Sequence, residues 1–200
     1  MGRRFAIWLL GALIAAAPLA AQGRLSKEDA DRFQSKLTKI VAFGNAPALK
    51  SSQPRNTPVT DVEVNSYLRY TGADQVPTGI VEPVLNALGS GRVSGRAVVD
   101  LDAVRTQKKR GWLDPLGYLT GRLPVTASGV LTTKDGKGQF QLESAEISGV
   151  TVPKSVLQEL LSYYSKTPAN PEGINMDAPF ELPAKIREIR VGTGTSTVVQ

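Results

Sequence analysis

The 200-residue sequence contains no histidine and no cysteine, and only 6% of its residues are aromatic. Without histidine there is no Ser-His-Asp triad and no imidazole ligand for a metal. Without cysteine there is no thiolate nucleophile, no disulfide, and no zinc or iron–sulfur site built on thiolates. An enzyme made from this chain would have to use carboxylates, lysine or tyrosine. We therefore expect no metal and no cofactor.

Sequence motifs of catalytic or phosphate-binding sites are also lacking. The glycine pairs Gly89-Ser90-Gly91 and Gly192-Thr193-Gly194 neither complete a G-x-G-x-x-G pattern nor open a helix. Asp100 and Asp102 could share one cation, but the favoured interpretation is that Asp102 caps a short helix and Asp100 ends a strand. The expectation is a protein that is not an enzyme. A carboxylate-dependent hydrolase is the less favoured alternative, since it needs two acidic side chains that converge in a cleft.

One long apolar run is present, and it lies at the N-terminus. Arg3 and Arg4 precede it, Phe5 through Ala17 form it, and small residues follow it. A positive start, an apolar centre and a small-residue end are the three parts of a secretory signal. A retained anchor is the alternative, but a spanning helix needs roughly 20 apolar residues. We predict a signal peptide over residues 1–21 and a periplasmic or secreted mature protein.

The positive charge of the chain is modest, at a formal +6. A single basic run, scarce aromatic residues and predicted export argue against a nucleic-acid partner. The basic run precedes apolar and aromatic residues that favour membrane interfaces, which predicts a peripheral membrane contact. The residues of this candidate contact are Lys108, Lys109, Arg110, Trp112 and Leu113. The alternative is a short helix from Asp114-Pro115 that caps the core and leaves the basic run in solvent.

The first half of the mature chain has two predicted helices separated by a linker. An amphipathic helix over residues 24–45 opens at Ser26, and it could pack on the domain, lie on a membrane or act as a leash. Residues 46–58 form a Pro-rich linker whose three prolines are expected to prevent regular pairing. A second helix begins at Thr60, where Thr60 and Glu63 form a T-x-x-E capping box.

From Ile80 the apolar residues recur every second position, as in strands. The segments 80–88 and 92–101 predict one hairpin, and the segments on either side of Asp135-Gly136 predict another. A helix from Pro153 and three short strands after residue 180 follow. Strands grouped in hairpins predict an antiparallel α+β domain over residues 59–200. The helix from Pro153 would cover the apolar face of its sheet.

Small residues occupy the inward positions of the predicted strands. They are Gly95, Ala97, Ala127 and Gly129, and they would face a helix rich in leucine and tyrosine. Two interpretations remain open. Either the helix sits close to the sheet at these positions, or space remains there for an apolar ligand.

Three stretches carry a resemblance to a known family. They are Thr60-Asp61-Val62-Glu63-Val64-Asn65-Ser66-Tyr67-Leu68, the hairpins that end in residues 150–165, and the closing pattern Leu182-Pro183-x-x-Ile186-x-x-Ile189-x-Val191-x-x-Gly194. The order of elements resembles LmeA-like periplasmic lipid-binding domains and, more loosely, tubular lipid-binding (TULIP-like) folds and YceB-like envelope proteins. The resemblance implies a curved antiparallel sheet rolled around one long amphipathic helix, with an apolar groove for acyl chains. The helix over residues 24–45 is an extra N-terminal element.

The resemblance and the composition together predict a function. We expect an exported, non-enzymatic protein that binds lipid or another apolar molecule in the cell envelope. The alternative is a periplasmic protein-interaction or scaffold domain whose first helix or exposed strand edge meets a partner, and no protein partner is identified. The residues expected to line the groove are Val93, Ala97, Val99, Val125, Leu142, Val156, Leu157, Leu160, Leu161 and Tyr164.

Overall fold

A computed structural model describes residues 24–47, 53–103, 121–166 and 170–200 of the chain, without the side chain of Tyr164. The predicted signal peptide and the candidate membrane-contact residues Lys108 to Leu113 lie outside these ranges. Within them, no helix is both long and apolar enough to cross a membrane.

The described chain has the predicted α+β architecture, with antiparallel sheets. Its helices are α1 (Lys27–Asn45), α2 (Asp61–Tyr70) and α3 (Lys154–Ser165), with a short 3₁₀ turn at Ala73–Gln75. Its strands are β1 (Asn56–Thr60), β2 (Ile80–Gly89), β3 (Arg92–Asp100), β4 (Arg122–Lys134), β5 (Lys137–Ile147), β6 (Val150–Thr151), β7 (Phe180–Glu181), β8 (Glu188–Val191) and β9 (Thr195–Val199). The fold class is therefore confirmed.

The larger sheet has the order β2-β3-β4-β5-β6, and β7 pairs with the other end of β5. Tight turns form both predicted hairpins. Asp135 and Gly136 take φ values of 50° and 82°, and Ser90 and Gly91 take 52° and 79°. Successive positive φ values give the turn a twist that matches the strands it joins. The turn residues therefore set the register of the hairpins, as the sequence indicates.

The smaller sheet has the order β1-β9-β8, and it corrects one sequence-based expectation. The prolines of residues 46–58 were expected to prevent pairing, yet Asn56–Thr60 pair with β9, and Pro58 lies opposite Thr197. β1 is an edge strand, and the carbonyl of Pro58 accepts a hydrogen bond from the Lys36 Nζ at 2.7 Å. The nitrogen and carbonyl of one strand residue point to the same side. Pro58 therefore lacks a donor only on the edge that β9 does not use.

Helix α1 packs on α2, which is the first of the three interpretations of its apolar stripe. The Ser26 side chain caps α1, while the Ser26 backbone N–H donates to the Oγ of Ser66 at 3.1 Å. Ser66 and Ala30 are both fully buried. The rings of Phe33 and Tyr67 meet edge to face with centroids 5.2 Å apart. The helix is thus part of the folded domain.

A buried carboxylate joins the two helices. Glu63 is 5% exposed, and both of its oxygens accept hydrogen bonds from the Lys36 Nζ, at 2.7 and 2.8 Å. Its Oε2 also accepts from the Thr60 backbone N–H at 2.9 Å, which completes the predicted capping box. Burial raises the pKa of Glu63, but the contacts with Lys36 and Thr60 outweigh burial and hold that pKa below its ordinary value of 4.5.

Acid should weaken the fold through Glu63. The pKa of Glu63 is lower in the folded state than in the unfolded state. Its carboxylate therefore stabilises the fold at pH values above its ordinary pKa of 4.5, and this stabilisation is lost as the pH falls through the folded-state pKa. We expect the free energy of unfolding of Glu63→Gln to depend less on pH in this acid range than that of the wild type. Urea titrations at a series of pH values measure this. Glu143→Gln, which removes an exposed ion pair with Arg92, should leave the pH dependence nearly unchanged.

Candidate ligand-binding face of the sheet

The register of the larger sheet places the predicted inward residues on one side. Val93 pairs with Gly129, Gly95 with Ala127, and Ala97 with Val125. Residues directly opposite each other in an antiparallel pair share a face. The resulting apolar face consists of Leu85, Ala87, Val93, Gly95, Ala97, Val99, Leu123, Val125, Ala127, Gly129, Leu131, Phe140, Leu142, Ala145 and Ile147. The opposite face carries Arg92, Ser94, Arg96, Thr126, Ser128, Gln139 and Gln141.

Small residues form a row across the middle of the apolar face. Gly95, Ala127 and Ala145 are direct neighbours on β3, β4 and β5. On one side of this row lies the pair Val125 and Ile147. On β4, the nearest larger side chains of this face are Val125 and Leu131, which are six residues apart, or roughly 20 Å. We call the depression above Gly95, Ala127 and Ala145 the trough.

Helix α3 does not fill the trough. It approaches β5 and makes no extensive contact with β3 or β4. Val156 is 43% exposed, and Leu157, Leu160 and Leu161 are only half-buried. α3 is therefore not closely packed over β3 and β4, whereas Leu85 lies against Gly95, Phe140 lies against Gly129, and Ala145 is 2% exposed. Whether the predicted lining residues contact a ligand stays a prediction.

Polar contacts with a later segment hold α3 in place. The Gln158 side chain donates to the Ile174 carbonyl at 2.9 Å and accepts from the Met176 backbone N–H at 2.8 Å. The Ile174 backbone N–H also donates to the Oγ of Ser165 at 2.6 Å. The segment after the helix thus lies along it. These hydrogen bonds connect both the middle and the end of α3 to residues 174–176.

Large apolar side chains remain exposed around the sheet. Leu85 and Leu88 on β2 are 48% and 47% exposed, and Phe180 on β7 is 45% exposed. Leu85 leans over Gly95, where a Cβ would meet the Leu85 Cδ2 at 3.4 Å.

Two side chains of α2 close the outer edge of β2. The Asn65 amide donates to the Leu85 carbonyl at 2.8 Å and accepts from the Leu85 backbone N–H at 2.8 Å. One turn earlier, the Asp61 Oδ2 accepts from the Ala87 backbone N–H at 2.9 Å. Burial raises the pKa of Asp61, and the hydrogen bond from Ala87 partly offsets this. The two side chains replace a neighbouring strand and protect the edge.

Beyond Asn65, α2 and β2 separate and leave a cleft of about 400 Å³. Its lining is mostly apolar and comes from α2, the 3₁₀ turn and the start of β2. The lining residues are Leu25, Asn65, Leu68, Arg69, Ala73, Val76, Ile80, Val81, Glu82, Pro83 and Val84. This volume falls in the range of small-molecule sites. We call it the α2–β2 cleft, and no pattern in the sequence predicts it.

The acidic residues after β3 have structural roles. The Asp100 Oδ1 accepts from the Ala103 backbone N–H at 3.0 Å, so Asp100 caps the helical turn that starts at Leu101. Asp102 accepts from the Gly121 backbone N–H at 3.2 Å instead. The expectation that Asp102 is the cap is therefore wrong. The Ala103 hydrogen bond, together with Arg122, lowers the pKa of Asp100. In the described ranges, no three acidic side chains group as metal ligands would.

Comparison with known proteins finds a weak structural similarity and no sequence match. A solved crystal structure of a lipopolysaccharide binding protein is similar to this chain. The TM-score is 0.22 and the sequence identity 15%, and the similarity covers 78% of this chain and 45% of that one. The chain thus spans less than half the length of that protein. No protein-family model matches the sequence, and no curated protein matches it.

Proposed function

We propose that this protein is an exported, non-enzymatic binding protein for lipid or another apolar ligand in the cell envelope. The trough is the observation that supports the proposal. A row of small residues crosses the apolar face at Gly95, Ala127 and Ala145, and α3 leaves the face around it only partly covered. A sheet that buried this face in an ordinary core would carry larger side chains or a close-packed helix there.

The energetics of such a site suit the composition of the chain. Each methylene group removed from water contributes about 0.8 kcal/mol. Several methylenes in the trough would thus give useful affinity without a charged or polar anchor on the apolar face. The lack of histidine and cysteine supports a binding role over a catalytic one.

Export and membrane contact are supported by the sequence. The positive, apolar and small-residue segments of residues 1–21 favour a secretory signal. The candidate contact residues Lys108 to Leu113 would bring the protein to a lipid surface. Both remain predictions that follow from residue pattern.

The alternative, a protein-interaction or scaffold domain, has less support. This alternative requires that the first helix or an exposed strand edge is free to contact a partner. The apolar stripe of α1 is used to pack on α2, where Ala30 is fully buried. The outer edge of β2 is closed at Leu85 and Ala87 by side chains of α2. The first helix and the outer edge of β2 are therefore already engaged within the domain.

Native mass spectrometry of the purified protein tests the proposal. We expect the protein, expressed with its export signal, to carry adducts in the mass range of lipids, and solvent extraction to release them. Delipidated protein should regain the adducts after incubation with liposomes. Spectra that show the bare chain both before and after liposome exposure would contradict the proposal.

A further inference from the structure

Arg69 is the exposed cation of the α2–β2 cleft, and its position is explained by the spacing of residues along α2. Asp61, Asn65 and Arg69 occur at four-residue intervals, which place them on one side of the helix. The first two bond the backbone of β2, but Arg69 does not. β2 is irregular at this level, with a register shift between Val81 and Val84. The strand therefore leaves the helix just where a third bond would form.

The irregular part of β2 carries the anionic group of the cleft. Glu82 has φ of 50° and precedes Pro83. A non-glycine residue with positive φ is uncommon, and a following proline further restricts it. Such conformations persist where surrounding structure enforces them, and they are frequent at binding sites. This conformation lies in the lining of the cleft, with Glu82 itself exposed.

Arg69 and Glu82 are the only ionisable side chains in the cleft lining, among the residues that the structure describes. The guanidinium of Arg69 lies 5.8 Å from the centre of the Tyr70 ring. Across the described ranges, neither Arg69 nor Glu82 forms an ion pair or a side-chain hydrogen bond. The polar atoms of Asn65 are used by Leu85. The cleft thus offers one cation and one anion beside an apolar lining.

The cleft adjoins the apolar face of the sheet. Ile80 lines the cleft, and it pairs with Val99, which belongs to that face. A chain that leaves the cleft past Ile80 would therefore enter the apolar face near its end. Apolar lining along the whole route suits an alkyl chain.

We propose that the α2–β2 cleft binds the headgroup of a zwitterionic amphiphile. Arg69 binds its phosphate, Glu82 binds its ammonium group, and its alkyl chain runs past Ile80 onto the apolar face. Glu82 would repel a headgroup that carries only a negative charge. Arg69 would repel a headgroup that carries only a positive charge. The inference rests on the proposed function and narrows its ligand class to phospholipids with a zwitterionic headgroup.

Three detergents of equal chain length, used as monomers, test this inference. They are dodecylphosphocholine, dodecyl phosphate and dodecyltrimethylammonium, and isothermal titration measures their affinities for the full chain. We expect the wild type to prefer dodecylphosphocholine. Arg69→Gln should weaken its binding about fivefold, since charge-assisted hydrogen bonds to phosphate are stronger than neutral ones. Glu82→Lys should shift the preference to dodecyl phosphate.

The controls separate this inference from the proposed function. Arg96→Gln removes an exposed arginine from the polar face and should leave the ranking of the detergents unchanged. Urea unfolding confirms that each variant is folded. If both cleft variants keep the wild-type ranking while a substitution in the trough abolishes lipid uptake, the headgroup site is overturned and the proposed function stands. A wild type that binds none of the detergents and takes up no lipid overturns both.

Discussion

Replacing Ala127 with phenylalanine is expected to weaken lipid binding roughly 50-fold. Ala127 lies at the centre of the trough, between Gly95 on β3 and Ala145 on β5. A phenyl ring at this position occupies the space that an alkyl chain would fill and removes several methylene contacts. At about 0.8 kcal/mol for each methylene, the loss of three contacts corresponds to an affinity roughly 50-fold lower. Native mass spectrometry after liposome exposure, compared with the wild type, measures the effect.

The neighbouring residue provides a matched control. Thr126 is on the same strand but faces the polar side, opposite Arg96 and Glu146. Thr126→Phe should therefore retain lipid uptake. Ala127 is only half-buried, so the added ring has room, and the free energy of unfolding should change by no more than about 1 kcal/mol. Equal uptake by Ala127→Phe and wild type would show that lipid does not bind in the trough.

Much of the larger sheet could be predicted from local sequence. Alternating apolar residues identify each strand, and turn residues such as Asp135 and Gly136 fix how consecutive strands pair. Once the hairpin register is set, the faces follow, because side chains alternate along each strand. This is why the small residues Gly95 and Ala127 could be assigned to one face from sequence alone. The confirmed α+β class follows from the same grouping of strands.

Contacts between distant segments could not be predicted in this way. β1 pairs with β9 at the other end of the chain, and no residue near Pro58 indicates that this proline lies in an edge strand. The sequence does not decide among the alternatives for α1, because the burial of this helix depends on Ser66 and Tyr67 of another helix. The apolar stripe of α3 predicted a covered helix, yet Val156 is 43% exposed and the helix is hydrogen-bonded to the segment at Ile174. Sequence periodicity shows that a helix has an apolar stripe, and only the tertiary structure shows which residues pack against that stripe.

The α2–β2 cleft illustrates the same limit for the candidate site. The spacing of Asp61, Asn65 and Arg69 is visible in the sequence, but its meaning depends on the path of β2. The irregularity at Glu82 and Pro83 decides that two of the three residues bind the strand and the third does not. A glutamate with positive φ has no reliable signal in a single sequence. The headgroup site could therefore be inferred only from the three-dimensional structure.

Replacing Asn65 with alanine should give the largest loss of stability in the described domain. Asn65 is 7% exposed, and its amide satisfies both the N–H and the carbonyl of Leu85. Leaving two backbone groups without partners costs about 2–6 kcal/mol in total. Urea unfolding of the variant and the wild type measures the difference. Asn86→Ala on the same strand is the matched control, because the Asn86 side chain has one weak contact, at 3.5 Å to the Ser94 Oγ.

Asn65→Asp distinguishes the two hydrogen bonds between Asn65 and the Leu85 backbone, which we call the clamp. Aspartate keeps an acceptor for the Leu85 N–H, but it places a second oxygen against the Leu85 carbonyl, where the amide now donates. We therefore expect Asn65→Asp to be destabilised at neutral pH and to recover part of its stability in acid, where a protonated carboxyl can donate. An Asn65→Ala variant as stable as Asn86→Ala, together with an Asn65→Asp variant insensitive to acid, would show that the edge of β2 does not need the clamp. The release of that edge in Asn65→Ala should also promote association between copies, since an unpaired strand edge recruits other strands.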